Sequence, residues 1–378
     1  MRLSICVTQY NNETFLPNLL NSINDNELNF EDEIELIIVD DCSVNECEII
    51  NIINKFKQTK TNKNIFNIKY IRHSFNKGTL LARKTGILQC TGDYILCMDG
   101  DDELLPNSLK TVVKELKEYN PDIYEGRCKE TFILDTVVMN SGIQKYIDVI
   151  TNIKNEMESH IDKYPVKSGF YQSSTGLLSL EFCIKNIIVW SKFVKHDVYI
   201  KAFNILEDFL HANMCEDVYM VFGLLLNSKT YFGSNNYFYK YNGNLNGICF
   251  NYIKSTVMMD LFKIKHNHKI DQNIFYMYKS ICKILIENDI KNKDHIAFLN
   301  VRKHILSRLI NRDRLNCAIS YSNYYPNAYG KTLWDMVMLY MNTNPVYEYL
   351  KPNCIVDDFG YLDLKSSPIN YYEYINDK

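Results

Sequence analysis

The stretch YILCMDGDDELL, residues 94–105, determines how the rest of the chain is interpreted. Five apolar or aromatic residues precede three acids, Asp99, Asp101 and Asp102, with only Gly100 between them. A short apolar run between polar residues is typical of a strand that is buried on both faces of a parallel sheet. Closely spaced carboxylates repel one another unless a cation lies between them. The stretch therefore predicts a buried strand that ends either in a solvated turn or in a metal site.

Similar apolar runs recur along the first third of the chain and alternate with segments of helical period. The strand-like runs are LSICV (3–7), IELIIVDD (34–41), NIKYIRH (67–73) and DYILCMD (93–99), and the helical segments are 15–23, 49–56, 80–90 and 109–119. This alternation predicts an α/β fold with a mostly parallel sheet flanked by helices, and such sheets bind ligands beyond the carboxyl ends of their strands. We therefore expect the polar strand ends TQYN, DDCS and DGDD to converge on one crevice.

The composition indicates a folded protein in a reducing compartment. The chain has 378 residues, 46% of them hydrophobic and 23% charged, and its net charge of −3 gives no general attraction to nucleic acid. Its 12 cysteines include no CxxC pair, which argues against a disulfide scaffold or a zinc site. The N-terminus reads as a strand rather than a signal peptide, and no apolar run is long enough to span a membrane. We expect a cytoplasmic protein.

Two acid clusters at strand ends are candidate ligand sites. Asp99 and Asp101 form a D-x-D pattern of oxygen ligands suited to Mg²⁺ or Mn²⁺, although the pattern alone is more often a solvated turn. Asp40 can accept hydrogen bonds from the N–H of a base or from ribose hydroxyls. Asp41 could instead cap the following helix, as Ser43 also could.

A third cluster, NKGTLLARKTG (76–86), suits a diphosphate. Gly78 allows close approach of the backbone, and Lys77 and Arg83 can meet phosphate oxygens, whereas Lys84 fits a solvated surface better. Neither a G-x-G-x-x-G dinucleotide motif nor a phosphate-binding P-loop occurs in the sequence.

Further candidates lie beyond residue 180. Glu216 and Asp217 open an apolar helical segment, where acids either interact with the helix dipole or supply a catalytic base. Trp190 and Lys192 could shape an acceptor site, although core packing of the tryptophan is equally consistent with the sequence.

Taken in order, these segments resemble a family-2 glycosyltransferase of GT-A fold over roughly residues 1–245. The similar blocks are SICVTQYNNETFL, IIVDDCS, NKGTLLARKTGI, GDYILCMDGDD, VWSKFVKHDV and CEDVYM. A narrower resemblance is to bacterial lipooligosaccharide outer-core β-1,3-galactosyltransferases. The resemblance implies an inverting transferase that uses a UDP-hexose (galactose by preference), Mn²⁺ or Mg²⁺, and a glycan or lipid-linked glycan acceptor.

The resemblance also implies roles for individual residues. Thr8, Tyr10 and Asp40 would hold the uracil and ribose. Asp99 would contact the ribose or the metal, Asp101 would ligate the metal with Asp102 as the second choice, and Asp217 would be the general base. Residues 1–105 would form the nucleotide-sugar half and residues 106–245 the acceptor half of the catalytic domain, followed by a mainly helical region at 250–378.

The basic segment 293–314 predicts an amphipathic helix that either packs on the catalytic domain or docks on an anionic inner membrane. Two other functions are compatible with an α/β fold of this kind. A non-catalytic sugar- or nucleotide-binding module would not need all of Asp40, Asp99, Asp101 and Asp217. A nucleotidyltransferase would need a glycine-rich triphosphate loop after the first strand, and TQYNNETF has no glycine.

Overall fold

The computed structural model describes residues 1–133, 166–174, 178, 188–213, 216–244, 277, 280 and 284. The elements in chain order are β1 (Arg2–Gln9), α1 (Leu16–Asn24), β2 (Glu33–Asp40), α2 (Glu46–Thr59), β3 (Ile65–Arg72), α3 (Thr79–Ile87), β4 (Tyr94–Asp99), β5 (Glu103–Leu104), α4 (Leu109–Tyr119), β6 (Ile123–Ile133), β7 (Gly169–Gln172), β8 (Lys192–Lys195), α5 (His196–Ile205), α6 (Glu216–Leu226) and β9 (Thr230–Asn244).

The strands described here form one sheet in the order β3-β2-β1-β4-β8-β6-β9-β5, with β7 paired to β9. The ladders β1–β2, β1–β4, β2–β3 and β6–β9 are parallel, whereas β8 is antiparallel to both of its neighbours. The parallel ladders are the longer ones, because three of the antiparallel ladders join only two or three residues of each strand. The prediction of an α/β fold with a mostly parallel sheet is therefore confirmed.

The central strands are apolar because helices cover them. Residues Leu3 and Ile5 of β1, and Leu36 and Ile38 of β2, are fully buried in one hydrophobic core together with Leu96 of β4. On α4 the buried side chains fall at Leu109, Val112, Val113 and Leu116, which is the spacing of one helix face. Burying a side chain of this size contributes roughly 1.5–3 kcal/mol, so the core fixes the strand register that positions the polar strand ends.

Helix α3 ends at Ile87, three residues before the predicted limit. The N–H groups of Gln89 and Cys90 donate to the carbonyls of Gly86 and Ile87, at 2.9 and 3.1 Å. These i→i+3 bonds tighten the last turn and satisfy carbonyls that the helix itself leaves unpaired. The apolar period continues to Cys90, which is buried, but the backbone has by then left the helix.

The predicted helical region at 250–378 lies outside the described residues, apart from three positions. Met277, Ser280 and Ile284 are buried, and the hydroxyls of Ser280 and Tyr219 of α6 are 2.7 Å apart. The segment 293–314 lies wholly outside the described residues. No helix that the structure describes has both the length and the apolar character needed to cross a bilayer.

Candidate functional site

The polar strand ends meet at the carboxyl edge of β2, β1 and β4. The parallel register pairs Thr8 of β1 with Asp99 of β4, and Gln9 with Asp40 of β2. The Thr8 hydroxyl donates to Asp99 Oδ1 at 3.3 Å, and the Asp41 N–H donates to the Gln9 carbonyl at 2.8 Å. The expectation that TQYN, DDCS and DGDD converge is therefore confirmed.

A buried guanidinium joins this edge to α6. Arg83 of α3 has a side chain only 3% exposed, and its Nη2 donates to Asp99 Oδ1 and Oδ2 at 2.9 and 3.3 Å. Its Nη1 donates to Glu216 Oε1 at 3.3 Å and also to Asp217 Oδ1. Arg83 therefore lies between the acid of β4 and the acid pair that opens α6, and these groups form what we call the Arg83 cluster (Arg83, Asp99, Glu216 and Asp217).

The groups of the Arg83 cluster differ in how readily they carry a charge. Burial opposes the charge of Arg83, but Asp217, Asp99 and Glu216 raise its pKa well above the usual value, so it stays cationic. Burial and the charge of Asp217 raise the pKa of Glu216 to about 8. Burial also raises the pKa of Asp217, against the opposing effect of Arg83. Near neutral pH, Glu216 therefore keeps its proton more readily than an ordinary glutamate.

The three acids of DGDD have different environments. Asp99 is partly exposed and pairs with Arg83, whereas Asp102 is fully buried. The Asp102 carboxylate accepts from the Tyr239 hydroxyl at 2.6 Å and from the Asn242 N–H at 2.8 Å, and burial together with the charges of Asp101 and Asp99 raises its pKa well above the usual value. The cation that relieves repulsion at Asp99 is Arg83, and Asp102 is held by hydrogen bonds to β9.

The assignment of a divalent ion to Asp101 stays a prediction. Asp101 is partly exposed at the strand end, between the Arg83-paired Asp99 and the buried Asp102. Among the described residues, no group of three or more His, Cys, Asp or Glu side chains is arranged to hold a metal ion. Mg²⁺ is usually bound by one or two carboxylates together with substrate phosphates and water, and Asp101 with Asp99 fits that donor set.

Asp40 is fully buried at the end of β2. Its carboxylate accepts from the Ser43 N–H at 2.8 Å, from the Tyr70 hydroxyl at 2.9 Å and from Arg72 Nη1. Ser43 does not cap α2, whose N-cap is Asn45 without a side-chain capping bond, and the Ser43 hydroxyl accepts from the Asn11 N–H at 2.9 Å. These bonds tie the loop after β2 to β3 and to the loop after β1, and the contact of Asp40 with a base or ribose stays a prediction.

Asp41 has a role that differs from helix capping. Its carboxylate accepts from the backbone N–H groups of Lys77 and Gly78, both at 2.8 Å, and lies 2.7 Å from His73 Nδ1. Asp41 therefore positions the loop before α3, on which the predicted phosphate contacts depend. The sequence predicted that Asp41, like Asp40, either binds a base or ribose or caps the following helix; a carboxylate that binds backbone 36 residues away leaves no periodic signal.

The loop before α3 is held from a second side by residues 211–213. The His211 N–H donates to the Lys77 carbonyl at 2.6 Å, and the Asn213 side chain accepts from the Thr79 N–H at 2.8 Å. Gly78 has φ +93°, and a Cβ there would lie 2.7 Å from His211 Cα. Glycine is thus required at position 78, and Asn213 caps α3 from outside the helix.

Two other side chains predicted to contact the donor, Tyr10 and Lys77, are at least partly exposed. Tyr10, directly after β1, is 46% exposed, and Lys77 is partly exposed with Nζ 5.8 Å from the Phe75 ring centroid. Lys84 pairs with the exposed Asp208, which agrees with a surface role.

Trp190 and Lys192 are part of the core. Trp190 is 4% exposed and stacks on Tyr239 and Tyr241, with ring centroids 4.8 and 5.1 Å apart. Lys192 Nζ is buried and donates to Glu125 Oε1 at 3.2 Å. For Trp190 the packing interpretation is therefore the correct one.

Comparisons with known proteins agree with this architecture. Residues 4–166 match the family described as Glycosyl transferase family 2. The poly(ribitol-phosphate) beta-N-acetylglucosaminyltransferase TarS of Staphylococcus aureus is 28% identical over 124 residues, which are 32% of this chain and 20% of that protein. The abequosyltransferase RfbV of Salmonella typhimurium is 33% identical over 131 residues, 35% of this chain and 37% of that protein.

A crystal structure of Staphylococcus aureus TarS residues 1–349 in complex with UDP superposes with a TM-score of 0.47 and 15% identity, covering 91% of this chain and 92% of that one. The aligned regions span only a fifth to about two fifths of these two curated relatives. The sheet order and the family match together confirm the GT-A fold. Residues 4–166 of this chain are therefore similar in sequence to the domain described as Glycosyl transferase family 2.

Proposed function

We propose that the protein is an inverting, metal-dependent glycosyltransferase that moves a hexose from a UDP-sugar to a hydroxyl of a bacterial surface glycan. The observation that carries this proposal is the Arg83 cluster, in which one guanidinium joins Asp99 at the end of β4 to Asp217 at the start of α6. A transferase needs a donor site and a base within reach of each other, and this contact supports that arrangement.

In the proposed donor complex, Thr8, Tyr10 and Asp40 hold the uracil and ribose. The partial exposure of Tyr10 leaves its ring available to a base. Lys77 and Arg83 contact the diphosphate, and Gly78 lets the loop backbone approach it. A divalent ion held by Asp101, with Asp99 beside it, would neutralise charge on the departing diphosphate.

The proposed reaction is a single displacement at the anomeric carbon. The acceptor oxygen forms a bond to C1 of the sugar while the bond from C1 to the diphosphate oxygen breaks, and UDP leaves with that electron pair. Asp217 takes the proton of the acceptor hydroxyl. Attack from the face opposite the leaving group inverts C1 and gives a β-linkage from an α-linked donor. The positive charge that develops on the sugar ring resembles that of glycoside hydrolysis.

The finer identity is also proposed rather than given by the comparisons. Galactose, a β-1,3 linkage and a lipooligosaccharide or capsule-type acceptor follow from the sequence resemblance. The relatives differ in the sugar they are named for, N-acetylglucosamine in TarS and abequose in RfbV. A cytoplasmic location, with contact to the inner membrane through residues 293–314, belongs to the same proposal.

Release of UDP from a panel of UDP-sugars tests the proposed function, with and without Mn²⁺. We expect turnover with one hexose donor, UDP-galactose first, and dependence on the metal. If the folded protein turns over none of the donors with the metal present, the chain is a binding module of the same fold and the proposal is wrong. Liposome co-sedimentation of the 378-residue chain and of the same chain lacking residues 250–378 tests the membrane contact, and equal binding would remove segment 293–314 from the proposal.

A further inference from the structure

Arg83 divides its donors between two parts of the proposed site. Nη2 faces Asp99, beside the proposed diphosphate position, whereas Nη1 faces Glu216 and Asp217. The guanidinium is planar, with its donors in a fixed arrangement. It therefore cannot turn toward a new anion without loosening one of these contacts.

On the basis of the proposed function, we infer that Arg83 is shared between the donor diphosphate and the proposed base. Without a donor, Nη1 pairs with Asp217, and the diphosphate draws the guanidinium away and leaves the Asp217 carboxylate free. The base then becomes available only when the sugar donor is in place.

Two further observations support this inference. The Nε–H of Arg83 is buried and has no hydrogen-bond partner within the described part of the chain. An unpaired buried donor is destabilising, and the cluster without ligand therefore leaves part of the guanidinium unsatisfied. A phosphate oxygen could accept from this Nε–H together with the parallel Nη2–H on the Asp99 side, and a shift of the guanidinium toward that phosphate draws Nη1 away from Asp217.

The competing anion is chiefly Asp217. The raised pKa of Glu216 makes it largely uncharged at neutral pH, and its distance to Nη1 is the longer one at 3.3 Å. Asp99 lies on the other side of the guanidinium and can keep its contact with Nη2. Movement of Arg83 toward the diphosphate therefore loosens mainly the bond to Asp217.

The decisive experiment is a double-mutant cycle on UDP binding, measured by isothermal titration calorimetry with Mn²⁺ present. Asp217→Asn should bind UDP roughly tenfold more tightly than wild type, which corresponds to the release of about 1.4 kcal/mol of competing interaction. Uridine, which has no phosphate to attract Arg83, should bind both proteins equally. Asp208→Asn is the matched control. It removes the exposed ion-pair partner of Lys84, which follows Arg83 on α3, and it should not change UDP binding.

Loss of repulsion between Asp217 and the diphosphate would also tighten UDP binding, and the cycle separates the two causes. In an Arg83→Gln background the gain from Asp217→Asn should disappear if Arg83 is shared, and should persist if repulsion alone is responsible. Arg83→Lys, which keeps the charge with a single terminal nitrogen, gives a second background if Arg83→Gln does not fold, and the gain should shrink there as well. The inference is overturned if Asp217→Asn tightens UDP binding equally with and without Arg83. It is also overturned if Asp217→Asn alone does not tighten UDP binding. A wild-type protein that binds no UDP overturns the proposed function itself.

Discussion

Arg83 of α3 and Asp217 of α6, 134 positions apart in sequence, form a direct ion pair beneath the carboxyl ends of the central strands. The pair shows how sequence blocks that are far apart contribute to one site. The loop and helix after β3 supply the cation, β4 supplies Asp99, and a later helix supplies the acid that faces both. The site is therefore assembled from segments that no local pattern links.

Replacement of Gly78 should destabilise the protein more than replacement of another glycine with positive φ. Gly78→Ala would place a Cβ 2.7 Å from His211 Cα, at φ +93°, whereas Gly169→Ala has similar backbone strain at φ +108° but meets its nearest atom only at 3.8 Å. We expect Gly169→Ala to cost about 1–3 kcal/mol and Gly78→Ala clearly more, since it adds a clash between backbones. Urea unfolding of both variants measures the difference, and equal losses would show that residues 211–213 do not restrict position 78.

The stability of the protein should fall as the pH rises toward 8, partly because of Glu216. Its pKa is raised from 4.5 to about 8 by burial and by the charge of Asp217. The unfolded chain releases this proton near pH 4.5 and the folded protein holds it to about pH 8. The contribution to stability is thus complete below the lower value and is lost across that interval, by up to about 1.4 kcal/mol per pH unit.

Glu216→Gln removes the titration of the side chain at position 216 and keeps the titration of Asp102. The free energy of unfolding should therefore decline less steeply in the variant than in wild type between about pH 6 and pH 8. Parallel curves for the two proteins would mean that Glu216 is not protonated in the folded state.

Trp190 should contribute to stability rather than to acceptor recognition. It is buried between Tyr239 and Tyr241, so Trp190→Ala should cost about 3–5 kcal/mol. Trp190→Phe keeps an aromatic ring in the stack and should change the rate of UDP release from the donor sugar by less than about twofold. A tenfold loss of activity in Trp190→Phe, with unchanged unfolding free energy, would restore the acceptor-site interpretation.

The acids Asp101 and Asp102 should respond differently to substitution. Asp101→Asn should raise the Mn²⁺ concentration for half-maximal activity at least about tenfold, because a carboxylate ligand is replaced by a weaker amide. Asp102→Asn should leave that concentration nearly unchanged, since the Asp102 carboxylate is buried against Tyr239 and Asn242. If the metal requirement follows Asp102 instead, the assignment of Asp101 is wrong.

Much of the fold could be predicted because its signals are local. The apolar run of β4 and the amphipathic period of α4, predicted at 109–119 and observed at Leu109–Tyr119, depend only on neighbouring residues. The convergence of Thr8, Asp40 and Asp99 also followed, because parallel strands bring their carboxyl ends to one edge.

The parts that could not be predicted depend on long-range contacts. Nothing around Arg83 indicates that it will meet Asp217, and Asp41 and Asn213 act on the backbone of a loop that is distant in sequence. The same applies to Asp102, whose difference from Asp101 arises from β9. Residue type predicted which groups were available, and tertiary packing decided which of them meet.

The most direct test of the proposed function is the rate of sugar transfer from the preferred UDP-sugar by wild type, Asp217→Asn and Asp208→Asn. Asp217→Asn keeps the shape of the side chain but cannot take a proton, and loss of a general base slows a reaction by roughly 100- to 10,000-fold. We predict a loss in that range in a variant that is still folded at the assay temperature by circular dichroism, although loss of the ion pair with Arg83 lowers its stability, while Asp208→Asn keeps wild-type activity. Transfer by Asp217→Asn at the wild-type rate would contradict the account, because the acid joined to the donor site by Arg83 would then not be the base.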